Sequence, residues 1–181
     1  MRPIPLSALA IVCTSVVPAA TLTAQTVVVG IGGGALIPAG DYGANDKVGW
    51  HVLGMAEVRP SALPFSLRLE ATYSRSTHRG DVGGASKLDG VTADLVWHVR
   101  LPRVPGRFYL VGGVGLYDVR VDVTGFSSAS QTKVAFGGGV GWCAGTGATK
   151  MFGEARFISA RTSGGASSFI PISAGVSFGL K

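Results

Sequence analysis

The sequence is short of charge, short of cysteine and free of long helical spans. Only 14% of its 181 residues are charged, against about 25% in a soluble globular domain. So few charges cannot coat an ordinary water-facing surface. The scarcity of Glu and Lys beside 28 glycines excludes a coiled coil. Two cysteines, Cys13 and Cys143, cannot form a disulfide framework. Beyond the first two dozen residues, no stretch approaches 18 uninterrupted apolar residues, so no transmembrane helix is expected there. Disorder is also excluded, because 46% of the residues are apolar and the net charge of +6 is modest.

What is present begins with a leader. Arg2 provides a small positive region, residues 4–17 an apolar one, and Leu22-Thr23-Ala24 a small-residue end. That layout predicts a secretory signal peptide over 1–24, cleaved after Ala24. Pro5 and Pro18 interrupt the apolar stretch and argue against a membrane anchor. The remaining domain, 25–181, then carries a net charge of +5, since Arg2 is the only charge removed, and retains Cys143 alone. An intrachain disulfide is therefore excluded, and Cys143 reads as a small wall-filling residue.

A chain with membrane-like composition and no apolar helix has one other solution in lipid, a closed barrel that pairs every backbone group between strands. Its signature is segments of about ten residues with alternating polarity. Eight such segments fit: 27–37, 48–59, 65–76, 88–101, 107–123, 132–144, 150–161 and 169–180. In the last, Ile170, Ile172, Ala174, Val176, Phe178 and Leu180 alternate with Pro171, Ser173, Gly175, Ser177 and Gly179. No sustained 3.6-residue period competes. The fold class expected is all-β: an eight-stranded antiparallel up-and-down transmembrane barrel.

The connections agree. Those after segments two, four and six are short (RPSALP, PRVPG, GTGAT), and the other four are longer and more polar. Short turns mark the periplasmic rim and long loops the extracellular one. On this topology Phe65, Trp97, Phe108, Trp142 and Phe178 form an inner aromatic girdle on the apolar face. Trp50, Tyr73, Phe136 and Phe157 form an outer one.

These eight segments, the leader, the glycine-rich VVVGIGGGALIP and VGGVGLYDV stretches and the closing ISAGVSFGL resemble the small outer-membrane β-barrel family of the OmpA-transmembrane and OmpX type. The resemblance spans the whole mature chain as a pattern, without a catalytic motif. It implies an outer-membrane location, periplasmic termini, and the barrel assembly machinery as a partner during biogenesis. The chain departs from the family in running on to Leu180-Lys181 after Phe178, where members commonly end on an aromatic residue.

Several stretches imitate chemistry. Gly30-Ile31-Gly32-Gly33-Gly34-Ala35 matches a dinucleotide fingerprint, but Pro38 and Gly40 forbid the helix that fingerprint requires. No cofactor is expected. His51, His78 and His98 lack a second His or Cys at ligand spacing, so no metal site is expected. Ser76, His78 and Asp81 cluster at the outer rim, the one place for a Ser–His–acid arrangement, and read as a polar loop edge. There is no H-x-S motif of the lipid A deacylase kind. No enzyme is expected, and no catalytic residue is assigned.

The informative charges fall on the face opposite the apolar stripe: Glu57, Arg59, Arg68, Glu70, Asp94, His98, Arg100, Glu154 and Arg156. An eight-stranded barrel is just wide enough for side chains to fill it, and buried charges there must pair. A Glu–Arg network filling the lumen is expected, with Arg68 and Glu70 meeting partners across their hairpins. Nucleic acid is excluded as a partner, because Lys and Arg are scattered and about half point inward. Lys47, Arg79, Lys87, Lys133 and Arg161 lie by the outer loops, where lipopolysaccharide phosphates would be met. The function expected is structural or surface-interaction, with the surface partner open. A narrow conduit for small or apolar molecules is the alternative, and a lipid A-modifying enzyme a third.

Overall fold

The computed structural model describes residues 26–40, 43, 46–78, 84–123, 129–162 and 165–180. The signal-peptide expectation for 1–24 lies outside them, as do Arg79, Asp81 and Lys181. Eight strands follow in chain order: β1 Thr26–Ala39, β2 Gly49–Arg59, β3 Ser66–Thr77, β4 Gly84–Val99, β5 Arg107–Val123, β6 Ala129–Ala144, β7 Thr149–Thr162 and β8 Gly165–Leu180. Each pairs antiparallel with its neighbour in sequence. β1 and β8 close the ring from Val27–Leu180 to Ala39–Ser168, so the sheet has no free edge.

Alternation decides the faces. Along β3, Leu67 and Leu69 are exposed while Ser66, Arg68 and Glu70 are buried. An exposed apolar side chain on every second residue is the inversion of a soluble protein, and it is stable only against lipid. Ile31, Val52, Leu69, Val114, Val140 and Ile172 belong to this band, each about half exposed. Trp97, Phe108, Trp142 and Phe178 border it at the end that holds both termini. Phe65 stands at the same end, half-buried just before β3. Trp50, Tyr73, Phe136 and Phe157 border it at the other, and Trp50 packs on Tyr73 with ring centroids 5.6 Å apart.

Three strands begin more than two residues earlier than hydrophobicity predicts. β4 starts at Gly84, β6 at Ala129 and β8 at Gly165, three or four residues before the apolar alternation sets in. Polarity alternates only where one face meets lipid, but strands keep pairing beyond the outer girdle. β4 is also two residues shorter at its other end than 88–101 predicts, because Leu101-Pro102 opens a turn and proline cannot supply a ladder donor.

Candidate functional site

The lumen is filled in layers. Nearest the termini, Arg59 Nε donates to Glu57 Oε1 at 2.7 Å, and His98 Nε2 lies 3.0 Å from the same oxygen. Arg68 Nε and Nη2 donate to Glu57 Oε2 at 3.2 and 3.1 Å. Arg68 Nη1 then reaches Glu154 Oε2 at 2.6 Å. One layer further, Arg156 Nη1 donates to Glu70 Oε1 at 3.2 Å and Nη2 to Asp94 Oδ1 at 2.6 Å. Arg156 Nη1 is 3.9 Å from Glu154 Oε1, which joins the layers, and Thr92 Oγ1 donates to Asp94 Oδ2 at 2.8 Å.

The strand addresses explain this geometry. β3 and β7 lie four strands apart in a ring of eight, so they face each other across the axis. β3 reads Arg68-Leu69-Glu70 and β7 reads Glu154-Ala155-Arg156, both running the same way. Arg68 therefore meets Glu154, and Glu70 meets Arg156, as two reciprocal struts across the barrel. Across the β2–β3 hairpin, Arg68 pairs with Glu57. The principal partner of Glu70 instead comes from the opposite wall, because inward side chains in so narrow a lumen converge on its axis. Arg100 is a correction: it lies beyond the end of β4 in the β4–β5 turn, exposed and outside the network.

Aromatic rings fill what the charges leave, and hydrophobic parity did not reveal them. Tyr109 lies with its ring centroid 5.1 Å from the Arg68 guanidinium, a cation–π contact. It packs beside Leu53, Met55, Val96, Cys143 and Phe152. Toward the outer loops, Leu36, Leu88, Tyr117, Ile158, Ala160 and Phe169 form an apolar plug, each 2% exposed or less. The sequence signal for the rings is glycine on the neighbouring strand. Tyr109 is registered with Gly141 and Tyr117 with Gly90, and a Cβ on either glycine would collide with the ring.

Between plug and struts lies a cavity of ≈10 Å³ lined by Leu36, His51, Glu70, Thr72, Arg156 and Phe169, among others. That is about the volume of one water. His51 Nε2 sits 2.8 Å from Ser173 Oγ on β8 and joins this region, a role the sequence reading left unassigned.

At the outer rim, Asp46 gathers Ser76 Oγ at 3.2 Å, His78 Nδ1 at 3.1 Å and Ser86 Oγ at 3.3 Å. Ser76 and His78 are thus brought together, though by Asp46 and with Asp81 outside the described residues. A nucleophilic relay needs the histidine between serine and acid. Here the acid is in the middle, and Ser76 donates to it. The cluster ties the segment before β2 to β3 and β4. Among the described residues, no group of three or more His, Cys, Asp or Glu side chains could hold a metal ion.

This architecture has solved counterparts. Neisserial surface protein A, from Neisseria, superposes with a TM-score of 0.64 at 20% identity, covering 86% of this chain and 99% of that one. A major outer membrane protein from Thermus thermophilus superposes with a TM-score of 0.61 at 13% identity, covering 87% and 100%. No protein-family model matches the chain, and no curated protein matches it significantly. The chain folds as a small eight-stranded outer-membrane β-barrel.

Proposed function

We propose that this outer-membrane barrel is a closed scaffold, with a structural or surface-interaction role carried by its outer loops. The observation behind this reading is the double obstruction of the lumen. The two stacked Arg–Glu struts span its middle, and the plug of Leu36, Leu88, Tyr117, Ile158 and Phe169 closes the path above them. A cavity of ≈10 Å³ between the two gives a hydrated ion no passage.

The chain is exported by the 1–24 leader, inserted with help from the barrel assembly machinery, and oriented with termini and short turns in the periplasm. Lys47, Lys87, Lys133 and Arg161 at the loop end suit lipopolysaccharide phosphates. The reading assigns no catalysis, since the outer-rim Asp46 cluster lacks the order of a relay.

Conductance of the purified barrel in a planar bilayer tests the scaffold reading. The expected result is no steady opening, and steady unitary currents would replace it with the conduit reading. A protease applied to intact cells tests orientation. Cuts near Gly43 or Ser128 support it, and cleavage confined to 102–106 overturns it.

A further inference from the structure

Beneath the struts, at the end that holds both termini, the barrel opens into a feature that the scaffold role does not use. A cavity of ≈560 Å³ lies between the β4–β5 and β6–β7 turns, within the size range of small-molecule sites. Its charged lining residues are Arg100, Arg103, Arg107 and Lys150, all cations. None of the four forms an ion pair among the described residues, whereas the Arg68 and Arg156 guanidiniums above are each paired with carboxylates. Four unpaired cations around one concavity repel each other and raise the local concentration of anions.

The turn that carries two of them is held in place. Trp142 Nε1 donates to the Pro105 carbonyl at 3.0 Å. Gly106, at φ +89°, packs so tightly that a Cβ there would lie 2.5 Å from the Cys143 carbonyl oxygen and 2.8 Å from Trp142 Nε1. Arg103 adopts φ 66°, a left-handed conformation that a non-glycine residue keeps only where its surroundings enforce it. The backbone that carries Arg100 and Arg103 is therefore held in place, so an arriving anion has to order side chains but not the turn.

Three of the four are guanidiniums, whose planar forks match two oxygens of one phosphate at once. Leu101 and Val104, both exposed, add apolar surface to the same rim. We propose that this basin binds a phosphate group, carried either by a phospholipid headgroup of the adjoining leaflet or by a soluble phosphate compound. The two sources share one recognition chemistry, and this inference stands whether or not the lumen conducts.

The test uses the full-length barrel in an uncharged detergent, titrated separately with pyrophosphate and with a short-chain phosphatidylglycerol, and followed by phosphorus NMR and calorimetry. Binding that weakens as salt rises is expected, and Arg103→Gln with Arg107→Gln should weaken it about tenfold or more. A lipid that binds more tightly than pyrophosphate and is displaced by it identifies the headgroup as ligand, and the reverse order identifies a soluble phosphate. Absence of binding by both probes overturns the proposal, as does affinity unchanged in the double variant. If Arg107→Gln impairs folding, seen as loss of the heat-dependent gel shift of a folded barrel, Arg103→Gln alone decides. Its site is a turn outside the strands, and unchanged affinity there likewise overturns the proposal.

Discussion

The inward faces of β2, β3 and β4 carry Glu57, Arg59, Arg68, Glu70, Asp94 and His98, whereas those of β1, β5, β6 and β8 carry much of the glycine. The two kinds of wall are matched where they adjoin, between β4 and β5 and between β6 and β7. Asp94 is registered with Gly113 and Thr92 with Gly115. Glu154 is registered with Gly141 and Arg156 with Gly139. A Cβ at Gly113 would collide with the Asp94 carboxylate, and one at Gly139 would meet Arg156 Cγ at 2.8 Å. Long charged side chains thus occupy volume that the neighbouring strand gives up. β7 is the exception, a charged strand among glycine-bearing ones, and it is the one that faces β3. The bracing of this barrel needs both walls: one supplies charge, the other supplies room.

Removing a strut should break that arrangement most severely. Arg156→Met leaves Glu70 and Asp94 facing each other without their shared cation, in a lumen where both are buried. A loss of about 3–5 kcal/mol is expected in urea unfolding from lipid vesicles. Adding Glu70→Gln and Asp94→Asn should return most of it, because no uncompensated charge then remains. Simple addition of the three separate effects would mean that the carboxylates are hydrated independently and that the struts do not act as a unit.

A charge on the opposite face of the same strand sharpens the contrast. Leu69 sits midway between Phe65 and Tyr73 and is 54% exposed, while its neighbour Arg68 is 4% exposed. Leu69→Arg places a guanidinium at mid-bilayer and should cost about 2–4 kcal/mol in the same assay. Leu69→Val should cost little. If Leu69→Arg were neutral, the exposed apolar band would not be facing lipid.

Strand number, order and facing were all readable from sequence, because period-two alternation from Ile170 to Leu180 or Phe65 to Tyr73 has one geometric meaning. Strand ends such as Gly84 were not, since alternation fades at the girdle while backbone pairing continues. The charged set falls on the inward face except for Arg100, which lies in a turn, but the partners across the lumen were not readable. Which carboxylate Arg156 meets depends on how the sheet closes, and closure joins β7 to β3 across a gap of 86 residues between Glu70 and Arg156. Asp46 was invisible for a different reason. It lies in a loop with no periodicity, and only folding brings it against Ser76, His78 and Ser86. Tyr109 and Tyr117 were missed because aromatics were sought on the lipid face alone, although inward Gly141 and Gly90 leave the room their rings occupy.

The smallest effects test the glycine wall itself. Gly90 and Gly54 are both strand glycines, but Gly90 faces inward under Tyr117 and Gly54 faces outward with nothing within 4 Å of a Cβ. Tyr117 cannot swing away freely, because its ring packs edge-on against Phe169 at 5.3 Å, inside the plug. Gly90→Ala should therefore overpack the plug and cost about 1–3 kcal/mol. Gly54→Ala meets no neighbour and removes the backbone freedom of a strand glycine, so it should be neutral or stabilise by about 0.5–1 kcal/mol. The Gly90→Ala loss should shrink when Tyr117→Leu is added, since a smaller side chain frees the space the new methyl needs. Urea midpoints of the four variants decide the matter. Equal effects at Gly90 and Gly54 would show that these glycines serve strand bending rather than room for a ring, and the division into a charged wall and a yielding one would then fail on its second half.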